Sequence, residues 1–232
     1  MNFLKTILFY FLFIIETIIV GTTGLIFVLF NKKYAFPTSI IWAKTALVLL
    51  KYICGLSYKV KNKYNLTSYL VASKHQSTFE TLLFWTLVRR PAYIIKKELL
   101  NIPIFGHYLK YTGMISIDRK SGAESIKKIL ATGKQYYGKD ERNIIIFPEG
   151  TRTQYGKETI KYSSGVYAIY DKFQKPVIPI ALNAGKFWSN KKFTIKPGII
   201  TVKFLPQIQP GLEKEDFLNK LRDSIESESI KL

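Results

Sequence analysis

With 232 residues the chain is long enough to bury one full core, and its single cysteine, Cys54, excludes a disulfide framework or a thiolate metal site. Lysine and arginine number 35 against 16 acids, a net charge of +19. Six acids and four bases fall after residue 212, so the preceding part holds 31 bases and 10 acids. Such a surface attracts polyanions, whether nucleic acid, anionic lipid or an acidic protein.

Residues 3–30 are almost continuously apolar. Between Ile7 and Phe30 stand 17 large aliphatic or Phe residues, each favouring membrane insertion by roughly 0.3–0.6 kcal/mol. Glu16 opposes with about 2.5–3.5 kcal/mol, so the balance favours the membrane. No small-x-small cleavage site follows, which argues against a signal peptide. The length argues against a buried core helix. Gly21 and Gly24 mark a possible bend, so the segment is expected either to span the bilayer or to dip into it. Ser39 to Leu56 reads as a second helix lying along a membrane surface. Lys44 and Lys51, seven residues apart, fall within about 20° of each other on one face. Lys32 and Lys33 favour placing the following part in the cytoplasm. The expected division is residues 1–57 as membrane-anchoring helices and 58–232 as the globular domain.

Beyond residue 57, apolar strands alternate with helical patterns. Strands are expected at Tyr58–Val60, Tyr69–Ala72, Tyr93–Ile95, Met114–Ile117, Asn143–Phe147, Val177–Leu182, Phe193–Pro197 and Ile199–Phe204. Helices are expected at Thr78–Val88, Glu98–Ile102, Ala123–Tyr137, Ser164–Phe173 and Lys214–Ile225. This alternation predicts an α/β fold, a mostly parallel sheet flanked by helices, with an N-terminal membrane-inserted helical segment. Pro197-Gly198 suggests a hairpin across Phe193–Phe204 near the sheet edge.

Two blocks carry chemistry. In His75-Gln76-Ser77-Thr78-Phe79-Glu80, a regular helix would hold His75 and Glu80 about 140° apart, too far around the axis to meet. With Ser77 as N-cap and Thr78 as the first helical residue, His75 sits in the preceding turn, free to fold back on the carboxylate. A carboxylate on one ring nitrogen fixes the tautomer and makes the other nitrogen a better base. The competing reading is a capping box, in which Glu80 merely holds the Ser77 backbone N–H. His107 has no such partner and reads as structural or solvent-exposed.

The second block, Phe147-Pro148-Glu149-Gly150-Thr151-Arg152, follows an apolar strand. Its glycine allows a turn whose N–H groups point at an anion, Thr151 adds a donor, and Arg152 can grip a phosphate in bidentate fashion. Glu149 reads as a partner for the arginine or a receptor for a substrate hydroxyl. Arg119 also lies just past a predicted strand, at the edge where α/β sheets bind ligands. No aromatic-basic recognition motif accompanies the positive charge, which argues against nucleic acid.

These blocks resemble the 1-acylglycerol-3-phosphate acyltransferase family, within the wider glycerolipid acyltransferases. Four match in order: His75 to Glu80, Gly113-Met114-Ile115-Ser116-Ile117-Asp118-Arg119, Phe147 to Arg152, and Val177-Ile178-Pro179-Ile180. Runs at Lys96-Lys97-Glu98-Leu99, Pro103-Ile104-Phe105-Gly106 and Lys161-Tyr162-Ser163-Ser164-Gly165 also sit where the family has similar ones. The likeness covers about residues 60–205. Glu80 stands where the family usually has Asp, and Ser116 where it generally has a large apolar or aromatic residue.

The resemblance implies transfer of a fatty acyl group from a thioester to the 2-hydroxyl of lysophosphatidic acid, giving phosphatidic acid. No cofactor or metal is implied; the thioester of acyl carrier protein or coenzyme A is the co-substrate. His75 and Glu80 are the expected catalytic pair. Arg119, Glu149, Gly150, Thr151 and Arg152 form the expected phosphate set, with Glu149 ordering the loop. The expected partners are the phospholipid membrane, lysophosphatidic acid and the acyl donor, with no nucleic acid. The active site is expected on the cytoplasmic face of a membrane. Two alternatives remain at this point: the same fold acting on another glycerolipid or lysolipid acceptor, and a lipid-binding relative that has lost catalysis.

Overall fold

Two apolar helices begin the chain and fold back on each other. α1 (Asn2–Phe30) and α2 (Ala35–Cys54) are joined by one 3₁₀ turn at Lys32–Tyr34. The structure, a computed structural model, describes residues 1–118, 121–138, 140–156 and 161–232. α1 is a single unbroken helix that Gly21 and Gly24 do not interrupt. They belong instead to a buried stripe with Thr6, Phe9 and Val28. At Gly24 a Cβ would lie 2.6 Å from the Tyr108 hydroxyl and 2.3 Å from Thr38 Cγ2. The opposite face leaves Leu4, Leu8, Phe11, Ile18, Ile26 and Phe30 exposed. Only 17% of the most apolar window of α1 is buried, which separates it from the core helix of a water-soluble domain. Both helices are long and apolar enough to cross a membrane. Lys44 and Lys51 are both exposed, as their spacing on one face of α2 required.

The remainder runs β1 (Leu56–Lys61), β2 (Leu70–Ser73), α3 (Phe79–Leu87), β3 (Pro91–Lys96), α4 (Phe105–Tyr111), β4 (Ile115–Ile117), α5 (Gly122–Gly138), β5 (Asn143–Ile146), α6 (Ser164–Phe173), β6 (Val177–Leu182), β7 (Gly198–Phe204) and α7 (Lys214–Lys231). The seven strands form one sheet in the order β1-β7-β6-β2-β5-β3-β4. Every neighbouring pair is parallel except β6 and β7. The mostly parallel α/β sheet expected from the alternation is therefore present, with β2 at its centre.

Both faces of the sheet are covered, which is why β2, β5 and β6 are apolar without alternation and buried at every position. On one side Val71, Ile145 and Ile178 pack against Phe79 and Leu83 of α3 and against Phe9, Ala43 and Leu50 of the N-terminal helices. The hairpin thus shares a core with the domain. On the other side Leu70, Ile144 and Val177 meet Ile129 of α5, Ile169 of α6, and Phe217, Leu221 and Ile225 of α7. Those three α7 side chains are fully buried, each contributing about 1.5–3 kcal/mol of transfer free energy.

Three expectations need correction. Phe193–Pro197 is not a strand and makes no hairpin with β7. Ile195 donates its N–H to Thr6 Oγ1 of α1 (3.0 Å), and Lys196 donates to the Phe187 carbonyl (2.9 Å). β7 takes its ladder from β1 and β6 instead. Secondly, α4 has no counterpart among the expected helices: it has seven residues, with Gly106 in its first turn. Its helical form follows from docking, since Tyr108 donates to the Gly21 carbonyl of α1 (2.9 Å). Finally, α7 continues past Ile225 to Lys231.

Candidate active site

The central strand sets the first half of the site. β2 ends at Ser73, Lys74 makes a further backbone bond to the Ile180 carbonyl (3.0 Å), and the chain then turns into α3. That helix starts at Phe79 with Thr78 as N-cap, one residue later than expected. Ser77 still serves the helix end, its Oγ accepting from the Phe79 N–H at 3.2 Å. Glu80 lies in the first turn, where the helix dipole favours an anion, and its side chain is fully buried.

The contacts that the two readings of Glu80 require are both present, on one atom. Glu80 Oε1 accepts the backbone N–H of Gln76 and of Ser77 (2.7 Å each) and lies 2.9 Å from His75 Nδ1. An ionised carboxylate only accepts hydrogen bonds, so neutral His75 carries its proton on Nδ1 and keeps a lone pair on Nε2. Phe147 stacks on the imidazole with ring centroids 3.9 Å apart and an interplanar angle of 14°. The ring is thus held at its edge by the acid and across its face by a second aromatic.

The second half comes from β5, the immediate neighbour of β2. Past Ile146 the chain turns, with Gly150 donating to the Phe147 carbonyl at 2.9 Å. Gly150 has φ +69°, a left-handed conformation that strains a residue bearing Cβ even though the space there is open. Glu149 points inward, not toward ligand. Its Oε1 accepts the His75 N–H (2.6 Å); its Oε2 accepts from the Thr153 hydroxyl and lies 3.2 Å from Lys74 Nζ. Thr153 in turn donates its N–H to the His75 carbonyl (2.8 Å). The expected place of Glu149 among the phosphate contacts is therefore corrected. Its side chain has no exposed surface, and it orders the loop by tying it to the histidine turn. Burial pushes its carboxyl up to about 7, against the opposing pull of Lys74, Thr153 and the His75 N–H.

His75, Thr151 and Arg152 open onto one groove of about 740 Å³, with Lys96 at the end of β3. Trp85, Phe105 and Leu109 form part of its apolar wall, and Phe13, Thr17 and Trp42 of the N-terminal hairpin form another part. The groove leads toward a smaller apolar cavity that shares Thr17, Trp42, Trp85, Phe105 and Leu109. Arg119 lies outside the described residues. Asp118, just before it, pairs with Lys97. Ser116 faces α5, where its hydroxyl accepts from Lys128 (3.0 Å), so this departure from the family pattern lies away from the groove. His107 is exposed.

Sequence reasoning missed Lys96, Asn190 and the hairpin residues of the groove. Lys96 was accessible to the rule that α/β sheets bind ligands past the carboxyl ends of their strands. The hairpin and Asn190 were not, because they reach the groove through tertiary packing alone.

A histidine–carboxylate pair and an arginine loop thus share one apolar groove at the carboxyl edge of a parallel sheet. Residues 57–183 match the acyltransferase family model. The 1-acyl-sn-glycerol-3-phosphate acyltransferase of Pseudomonas aeruginosa is 32% identical over 88% of this chain and 80% of its own length. Its counterpart from Helicobacter pylori is 27% identical, over 77% and 76%. The crystal structure of the 1-acyl-sn-glycerophosphate acyltransferase from Thermotoga maritima superposes with a TM-score of 0.77 at 22% identity, covering 100% of this chain and 97% of that one. The chain belongs to the acyltransferase family.

Replacing Glu80 by Gln keeps the volume and an acceptor for the backbone N–H groups but removes the charge that would support a protonated imidazole. Turnover of Glu80→Gln is expected to fall on the order of 10²–10⁴-fold, read from initial rates at saturating substrate. An undiminished kcat would show that the acid serves only as a cap.

Proposed function

We propose that this chain moves a fatty acyl group from an acyl thioester to the 2-hydroxyl of 1-acylglycerol 3-phosphate, forming phosphatidic acid. The observation that carries this reading is the 2.9 Å contact between His75 Nδ1 and Glu80 Oε1, in a groove that also holds Arg152. His75 Nε2 takes the proton of the acceptor hydroxyl as its oxygen attacks the thioester carbonyl. The carbon–oxygen bond forms, the carbon–sulfur bond breaks, and the imidazolium returns its proton to the departing sulfur. Glu80 stabilises the transient cation and keeps the ring in one tautomer. A thioester is reactive enough for direct attack, so no covalent acyl-enzyme is required, and Ser77 Oγ is occupied at the helix end.

Thr151 and Arg152 hold the phosphate on the turn that Gly150 permits, with Arg119 joining them by family resemblance. The acyl donor is a thioester of acyl carrier protein or of coenzyme A, and the apolar part of the groove takes hydrocarbon. The complete dyad speaks against a relative that has lost catalysis. Both halves of α1 touch the domain, Thr6 through Ile195 and Gly21 through Tyr108, so the hairpin lies along the domain rather than leading away from it. Its bare apolar face rests in the near leaflet of a bilayer, with the groove on the cytoplasmic side.

His75→Ala, purified and reconstituted in vesicles, should retain less than about a tenth of the wild-type transfer to lysophosphatidic acid, given a general-base contribution of about 10²–10⁴-fold. Persistent transfer above that level would exclude His75 as the base. A panel including glycerol 3-phosphate and neutral lysolipids tests the acceptor. Arg152→Ala should raise the apparent KM for the phosphorylated acceptor roughly 10- to 150-fold, the equivalent of the 1.5–3 kcal/mol typical of a hydrogen bond to a charged group. Loss of turnover at unchanged KM would count against the phosphate role. In flotation assays, Phe11→Lys combined with Ile18→Lys should release the protein from vesicles, each charge costing about 2.5–3.5 kcal/mol in hydrocarbon. Undiminished flotation would refute the membrane placement of that face.

A further inference from the structure

Lys74 carries an ammonium group into the interior directly beside the reacting turn, although the transfer step makes no use of it. The residue is 1% exposed, and a buried charge costs several kcal/mol unless it is paired and hydrogen-bonded. Its Nζ lies 2.8 and 2.7 Å from the two carboxylate oxygens of Glu226 and 3.2 Å from Glu149 Oε2. Glu226 belongs to α7, and its Oε1 also accepts from the Tyr162 hydroxyl at 2.9 Å. Glu149 holds the His75 N–H and the Thr153 hydroxyl. A continuous line of charge-assisted bonds therefore runs from α7 through Lys74 and Glu149 to the backbone of His75.

The endpoints of this line are informative. An ion pair that only docked α7 could join it to the sheet anywhere, and Phe217, Leu221 and Ile225 already bury one face of that helix. This line ends instead on the backbone of the base and on the loop that carries Arg152. Glu226 lies outside residues 57–183, the stretch matched by the family model.

We propose that Lys74 and Glu226 are positioning residues for acyl transfer: acting through Glu149, they fix the His75 turn against the Thr151–Arg152 loop so that base and anion grip meet the same acceptor. This rests on the reading of His75 as base and Arg152 as phosphate contact. The ionisable groups facing Glu149 are Lys74 from the turn after β2, Glu226 from α7 and Tyr162 from the segment before α6, with the His75 imidazole on the same turn as Lys74. Two carboxylates share one ammonium. Burial raises the Glu149 carboxyl, Lys74 lowers it, and Glu226 raises it further. Protonation of Glu149 weakens its hold on the His75 N–H. Removing the charge of Glu226 therefore favours ionised Glu149, and removing the charge of Lys74 favours the protonated form.

The test is the pH profile of kcat/KM for full-length Glu226→Gln and Lys74→Met in vesicles, with far-UV circular dichroism and a melting curve for each. The assay uses whichever acceptor the wild-type protein acylates, so a wrong acceptor would not be mistaken for a wrong positioning role. The acid limb is expected to move by roughly one pH unit in opposite directions, down for Glu226→Gln and up for Lys74→Met. Should Lys74→Met not fold, Glu226→Gln decides alone, because its limb must still move to lower pH. Profiles superposing on the wild type, or losing the same factor at every pH in step with melting temperature, would overturn the proposal.

Discussion

The site depends on a single oxygen atom. Glu80 Oε1 gathers two backbone N–H groups and the His75 imidazole within 2.9 Å, and these three contacts do different work. The backbone bonds satisfy donors at the start of α3 and give the turn its shape. The imidazole contact sets which ring nitrogen faces the groove. Helix capping and orientation of the imidazole are thus one event, so the ring cannot take another tautomer without disturbing the helix end. Glu80 Oε2 has no hydrogen-bond partner among the described residues, leaving the ligation concentrated on the shared oxygen.

Glu149 plays the matching part on the neighbouring strand. The Phe147–Arg152 block looks like a ligand loop, and its arginine and threonine do face the groove. Its acid faces the other way and binds the histidine turn by that turn's own backbone. The distance between His75 and Arg152 is set by these buried bonds and by adjacent strands, with no reliance on exposed side chains. Exposed ion pairs such as Arg222 with Asp223 contribute little by comparison.

Legibility in the sequence followed locality. β6 and α6 were readable to the residue because an unbroken apolar run and a capped amphipathic pattern each carry their own boundaries. His75 and Glu80 were readable because five residues of spacing and a turn suffice to join them. What failed was decided at a distance. Phe193–Pro197 has strand composition, but its N–H groups go to Thr6 and Phe187. Phe105–Tyr111 has weak helix propensity and is helical because α1 receives Tyr108. The expected end of α7 at Ile225 followed the last apolar contact and stopped one residue short of Glu226, whose polar side chain reaches inward to a lysine invisible to any periodicity. Glu149 was misjudged for the same reason, since nothing local tells an inward carboxylate from an outward one.

Phe13, Thr17 and Trp42 wall the groove from helices whose far side is bare hydrocarbon. The groove is therefore completed by the same element that carries the exposed apolar face. On the proposed membrane placement, desorption from lipid would expose that hydrocarbon to water and cut the groove off from its substrate reservoir in one step. The relevant measure of acceptor supply would then be its mole fraction in the surface rather than its molarity in solution.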